Sequence, residues 1–141
     1  RSSLEIADRV VDAKGAWGLK PFDRGKSIEA TLKGWGNNFP VIDKFDKTSR
    51  TITSIKSLDL NAKSYQSGNA VYNRGKGYID KLAGFQSGEL QGIIIESGDF
   101  DNRVLELAIP EGATSSQLEQ LKRLKEYAQE QNIQLTIVLA K

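Results

Sequence analysis

Histidine and cysteine are both missing from the 141 residues. Imidazole is the usual general base near neutral pH, so its absence excludes serine–histidine triads, histidine-pair ribonuclease chemistry and histidine-bound zinc. Without cysteine there is no disulfide, no thiolate ligand and no sulfur nucleophile, and no redox compartment is marked. Long apolar runs are lacking too. The longest lies around Ile93, Ile94 and Ile95, far short of the roughly 20 residues a membrane helix needs, so no membrane-spanning segment is expected. Nor is there a large excess of one charge: the net value is +2, which by itself says little about a nucleic-acid partner. Carboxylates, lysine, hydroxyls and backbone groups remain, and these suit a hard or borderline cation bound mainly through oxygen.

The length allows one respectable core and hardly two, so residues 1–141 are expected to form a single domain. The chain starts at Arg1 with no signal-peptide pattern behind it, which suggests the C-terminal piece of a larger protein. Leu4, Ala7, Val10 and Val11 recur at helical spacing behind Ser2 and Ser3, predicting a first helix ended by Gly15 and Gly18. A second helix is predicted over 26–33, where Ile28, Leu32 and Trp35 recur before the break Gly34-Trp35-Gly36-Asn37-Asn38. Residues 41–46 and 51–58 read as a hairpin about Lys47-Thr48-Ser49. Residues 61–85 read as mixed helix and loop, interrupted by Gly68, Gly75 and Gly77. Residues 90–97 and 104–109 read as a second hairpin about Gly98-Asp99-Phe100-Asp101-Asn102. Thr114 with Gln117, or Ser116 with Glu119, offers a capping box for a helix striped by Leu118, Leu121, Leu124 and Ala128, and a last strand covers 133–140. Strands and helices alternate only in part, which favours an α/β (α+β) fold with a mixed β-sheet core over a doubly wound one.

Strand parity singles out the first hairpin. Ile52, Ser54, Lys56 and Leu58 share one face, and Val41, Asp43 and Phe45 share one on the preceding strand, so each apolar face is interrupted by charge. Neighbouring strands bring such positions within several ångströms, and a buried charge needs a partner or an ion. Three readings stay open on pattern alone: a partly buried Asp43–Lys56 salt bridge, two solvated faces with incidental apolar neighbours, or a reactive site.

The stretches Arg24-Gly25-Lys26-Ser27-Ile28-Glu29, Asn38-Phe39-Pro40-Val41-Ile42-Asp43-Lys44-Phe45-Asp46 and Thr53-Ser54-Ile55-Lys56-Ser57-Leu58-Asp59-Leu60 resemble the PD-(D/E)XK (restriction-endonuclease-like) nuclease fold. Within it they resemble the C-terminal toxin domains of contact-dependent growth inhibition (CDI) effectors of the CdiA type. In that fold a helix supplies a glutamate, one strand an aspartate and the next strand an acidic-x-lysine element. The resemblance thus implies a metal-dependent endonuclease with Glu29, Asp43, Ser54 and Lys56 as catalytic residues, Glu29 and Asp43 holding a divalent ion, Zn2+ or Mg2+/Mn2+. Ser54 stands where many members carry a second acid, which leaves water, the Ile55 carbonyl or a substrate phosphate to complete the ion's shell. The Ser-x-Lys form looks most like the zinc-dependent DNase branch, so DNA is expected over tRNA. The resemblance further implies a secreted or cell-surface parent protein, a toxin acting in the cytoplasm of a neighbouring bacterium, and a cognate immunity protein. The turn from Gly98 to Asn102 is a candidate docking hairpin, since a strand edge can accept a partner strand.

For nucleic-acid binding, Lys44, Lys63, Arg74 and Lys76 are the leading candidates, with Lys47, Arg50 and Lys81 nearby and Tyr65, Tyr72 and Tyr78 interleaved. Arg74-Gly75-Lys76-Gly77 lacks the P-loop pattern and reads as a turn. Trp17 and Trp35 read as core or lid residues rather than base-stacking ones. A non-catalytic module that docks nucleic acid or protein is the alternative from another class.

Overall fold

The computed structural model describes residues 3–141, so Ser2, the first proposed cap, lies outside the described residues. In chain order the first half contains α1 (Ser3–Ile6), β1 (Arg9–Val11), a 3-10 turn (Ala16–Gly18), α2 (Pro21–Thr31), β2 (Lys44–Asp46) and β3 (Thr51–Ser57). The second half contains a 3-10 turn (Lys63–Tyr65), α3 (Ala70–Ala83), β4 (Gly88–Leu90), β5 (Ile93–Ile95), β6 (Asn102–Ile109), α4 (Ser115–Glu130) and β7 (Ile133–Ala140). Five strands form one sheet in the order β1-β7-β6-β3-β2, parallel except for β2.

Parallel strands need long crossovers, and helices supply them. α4 links β6 to β7, and α3 lies between β3 and β6. The central strands are buried on both faces, which explains their dense Leu, Ile and Val content. Ile52, Leu105, Leu107, Ile109, Ile137 and Leu139 face the larger core, closed by Ile79 and Leu82 of α3 and Leu121 and Leu124 of α4. On the opposite face Ile55, Ala108 and Val138 pack under Ile28 and Leu32 of α2. The small residues there let α2 approach closely. No helix among the described residues is long and apolar enough to cross a membrane.

The mixed sheet flanked by helices agrees with expectation, as do β7 and the Thr114–Gln117 capping box, in which each side chain bonds the other's backbone N–H. Four details differ. Val10 and Val11 are in a strand, because Asp8 ends the short α1 by exchanging bonds with Ile137 (N–H to carbonyl 2.8 Å, carboxylate to N–H 2.8 Å) and sets the chain beside β7. α2 starts at Pro21, whose fixed φ suits the first helical position, and stops before Lys33, at φ 70°. Gly75 and Gly77 lie inside α3 instead of in a turn; at Gly75 a Cβ would overlap the buried Leu124 side chain, so the missing side chain is what lets α3 meet α4.

The second hairpin is the fourth difference. It is β4–β5, turning at Gln91 and Gly92, both at positive φ (51° and 84°) as a two-residue type I′ turn requires. Gly98 belongs to a 3-10 turn, and β6 pairs in parallel with β3 and β7. The segment from Gly98 to Asn102 is therefore no docking hairpin. Arg50 holds it instead, bonding the Gly98 carbonyl at 2.6 Å and the Asp101 carboxylate at 2.6 Å.

Candidate active site

The site is built where the sheet runs out of partners. β6 pairs with β3 along its whole length, whereas β2 covers only Thr51 to Thr53 on the other edge. At Thr53 the register slips: Lys44 opposes it in the ladder, and the Asp43 N–H also donates to its carbonyl at 2.8 Å. Two residues thus oppose one, a bulge-like step of the kind that re-aims a side chain. The Asp43 side chain then continues where the strand stops, its Oδ2 accepting the Ile55 N–H at 2.6 Å.

The chain before Asp43 is bent hard away. Ile42 N–H donates to the Pro40 carbonyl at 2.7 Å across Val41, which sits at φ 66°. A β-branched residue there is strained by about 1–3 kcal/mol, and burial of Phe39 and Ile42 on either side holds it in place.

Glu29 reaches the same point from α2, on the opposite face of the sheet. Its Oε2 accepts the Gly36 N–H at 2.7 Å, and the Trp35 N–H donates to the Asp43 carbonyl at 2.8 Å. One loop therefore fixes both acids. Gly34 is required beside them: a Cβ there would overlap Glu29 Cγ and come within 2.8 Å of Oε2. The Gly34-Trp35-Gly36 break seen in the sequence is thus a cradle for the acid.

β3 alternation places Ser54, 2% exposed, and Lys56 toward α3. Lys56 Nζ lies 5.6 Å from the Tyr78 ring centroid, within reach of the ring's negative face. Two adjoining hollows of about 350 and 630 Å³ share Asn38, Asp43, Lys56 and Tyr78; Ser54 lines the smaller and Glu29 the larger. All four predicted residues therefore meet around Asp43. Burial pushes the Asp43 carboxyl up to about 6 against the Ile55 N–H bond, with the Glu29 charge adding to the rise and Lys56 and Lys44 opposing it. The salt-bridge reading does not account for this, because a carboxylate satisfied chiefly by Lys56 would be driven down.

The basic residues divide. Arg74 lines the larger hollow, and Lys63 lies in the turn whose neighbours Ala62 and Ser64 do so. Lys76 turns to α4, bonding Asp80 at 2.9 Å and lying 5.0 Å from the Tyr127 ring centroid. Lys44 turns to the other face, donating to the Leu32 carbonyl at 2.8 Å and pairing at 2.9 Å with buried Glu106, which also holds Arg9 at 3.1 Å. Its role there is structural. Trp17 donates to the Ala140 carbonyl and Trp35 packs edge-on against Phe39, both as expected of packing residues. Lys81, one of the basic residues expected nearby, lines the smaller hollow, and Lys26 and Asp59, which carried no expected role, line the larger. Starting α2 at Pro21 would have put Lys26 on the Glu29 face.

For a metal ion the donors at hand are two carboxylates, each with one oxygen engaged by a backbone N–H and the other left over. Among the described residues no group of three or more acidic, histidine or cysteine side chains assembles. Two close acids, one with its proton affinity raised, fit a divalent ion whose charge would offset both.

Residues 24–138 match the model of the CDI toxin restriction endonuclease-like domain. The chain is 34% identical over 118 residues to the deoxyribonuclease CdiA-o11 of Escherichia coli O157:H7 strain EC869, covering 83% of this chain and 31% of that protein. It is 31% identical over 105 residues to the deoxyribonuclease CdiA of Yersinia pseudotuberculosis serotype O:3 strain YPIII, covering 74% of this chain and 10% of that protein. The chain thus spans less than a third of either relative. Its fold matches a chain of the CdiA-CT/CdiI toxin and immunity complex from Yersinia pseudotuberculosis with a TM-score of 0.66 and 29% identity, over 74% of this chain and 85% of that one.

Proposed function

The chain belongs to the CDI toxin restriction endonuclease-like domain family, and from that premise we propose that it is a metal-dependent DNase toxin domain with Glu29, Asp43, Ser54 and Lys56 as its working residues. The observation that carries this reading is the convergence of two carboxylates and a lysine on an unpaired strand edge, inside a cleft open to substrate. The names of the two deoxyribonuclease relatives favour DNA over tRNA.

Phosphodiester hydrolysis needs a water oxygen to attack phosphorus, charge to offset the growing negative oxygens, and release of an alkoxide. A divalent ion held by Glu29 and Asp43 would supply neutralising charge and make a nearby water more acidic; oxygen donors accept Mg2+, Mn2+ or Zn2+. Burial raises the proton affinity of Asp43 in the metal-free protein, and the charge of the ion it would hold offsets that cost. Lys56, anchored over Tyr78, points its ammonium toward the same cleft and orients the attacking water or meets the phosphate oxygens. Ser54 contributes a hydroxyl beneath them and no charge.

Plasmid DNA and total tRNA, each with and without EDTA, test the reading. DNA cleavage that EDTA abolishes and Mg2+, Mn2+ or Zn2+ restores is the expected result; cleavage of tRNA alone sinks the DNase assignment.

The domain acts, on this reading, in the cytoplasm of a target bacterium after delivery by a larger parent protein. It is held inactive at home by an immunity protein, a reading supported by the structural relative's toxin and immunity complex. The β4–β5 hairpin, with Ile93 and Ile94 exposed at its turn, is the docking element the structure favours in place of Gly98 to Asn102.

A further inference from the structure

The cleft has a second wall whose chemistry hydrolysis does not use. Phe22, near the start of α2, is 72% exposed, more than any other large apolar side chain among the described residues. Helix positions i, i+4 and i+7 share a face, so Phe22, Lys26 and Glu29 form one stripe, and all three line the cleft that holds Asp43 and Lys56. Lys26 Nζ lies 5.1 Å from the Phe22 ring centroid, and the residue is otherwise largely exposed. Between them Gly25 presents bare backbone, with nothing within 4 Å of where its Cβ would be. Arg24 lines the same cleft while facing the Leu19 carbonyl, Asp59 and the Trp17 ring.

An exposed phenyl ring forgoes roughly 1.5–3 kcal/mol of burial, which an occupant would recover. The charge around it selects that occupant: Lys26 adjoins the ring, and Arg74 lines the cleft opposite. Such a surface suits an anionic polymer carrying flat apolar groups better than a wholly apolar partner. Seven residues of helix place Phe22 about 10 Å along the axis from Glu29, the rise of about three stacked nucleotides.

We propose that Phe22 and Lys26 form a nucleotide subsite of the cleft, the ring stacking on an unstacked base of the substrate strand and the ammonium holding an adjoining phosphate. This rests on the nuclease reading above. A ring on the helix surface reaches only a base already out of its stack, so substrates mismatched or single-stranded a few nucleotides from the cut bind best, since the unstacking cost is least there.

Steady-state cleavage of a fluorogenic duplex, and of the same duplex with a mismatch scanned across it, compares the unmutated chain with Phe22→Ala, Phe22→Leu, Phe22→Trp and Lys26→Ala. Stacking is worth about 1–3 kcal/mol per base, so Phe22→Ala and Phe22→Leu should raise KM about tenfold with kcat within about twofold and erase the mismatch preference. Phe22→Trp should keep all three properties, and Lys26→Ala should lower the salt dependence of KM. A Phe22→Leu variant indistinguishable from the parent overturns the subsite, as does a fall in kcat at constant KM. So does loss of immunity-protein binding with cleavage unchanged, which assigns the ring to a protein interface. Failure of the unmutated chain to cut DNA or RNA overturns the nuclease reading and the subsite together, whereas cleavage that ignores Phe22 overturns the subsite alone.

Discussion

The β6–α4–β7 unit and the β2–β3 edge are made from the same alphabet to opposite ends. In the first, every strand position has a ladder partner, Leu105, Leu107, Ile137 and Leu139 are buried under α4, and the helix is capped at its start by Thr114 and Gln117. In the second, β2 is three residues long, Lys33, Asn38, Val41 and Arg50 adopt positive φ, and a carboxylate replaces the missing strand against the Ile55 N–H. The first region makes the molecule stable. The second spends part of that stability on holding two acids and a lysine together where water and substrate can reach them.

Substitutions that separate these tasks give the sharpest tests. The largest effect is on activity: Glu29→Ala, Asp43→Ala or Lys56→Ala should lower DNA cleavage by at least about a hundredfold while thermal unfolding stays cooperative. Unchanged cleavage by folded variants removes the site. Next, Leu139→Ala should cost about 2–5 kcal/mol in urea unfolding with the remaining folded fraction fully active, because Leu139 lies in the core on β7, separated from β3 by β6.

The comparison is then broken most directly by the same substitution made against a residue of α4 and against a residue of the site. Gly75→Ala presses a methyl into the buried Leu124 and should cost about 1–3 kcal/mol with little change in kcat. Gly34→Ala presses the same methyl into Glu29, whose flexible side chain can move, so stability should change little while cleavage drops about ten- to a hundredfold. Equal loss of activity in the two variants would erase the division of labour.

The smallest effect concerns pH. Asp43 holds its proton up to about 6 in the folded protein against 3.8 ordinarily, so the stability it contributes is present below about pH 4 and lost as pH rises through about 6. Above that, its ionised form is a cost. Metal-free Asp43→Asn should therefore be more stable than the parent by about 1–2 kcal/mol at pH 7.5, with the gain gone near pH 4, as read by urea unfolding in EDTA. A variant gain independent of pH would show that burial of Asp43 does not raise its proton affinity.

Much of this architecture was legible where the signal is local. The alternation in Thr51–Ser57 put Ser54 and Lys56 on one face, and the run Ile133–Ala140 could be little other than a buried strand. Gly75 misled because a glycine inside a helix costs intrinsic propensity, and the compensating contact with Leu124 comes from a helix some fifty positions on. Val10 and Val11 fit a helical stripe as well as a strand, and only pairing with Leu139 and Ala140 decides between them. Residues 90–97 hid a turn because glutamine rarely announces positive φ; Gln91 adopts it in the two-residue turn that it forms with Gly92.

The sites follow the same division. Sequence by itself determined which groups are available, an oxygen-and-lysine chemistry without imidazole or thiol, and which residues of β3 share a face, because composition and a period of two are properties of the chain alone. That Glu29 meets Asp43 from the far side of the sheet, that Lys44 turns its back on the cleft to hold Glu106, and that Phe22 opens onto the same cleft were decided only in the tertiary structure. Those relations depend on where a bulge and the Gly34-Trp35-Gly36 loop aim side chains many positions apart, and no local period encodes a direction in space.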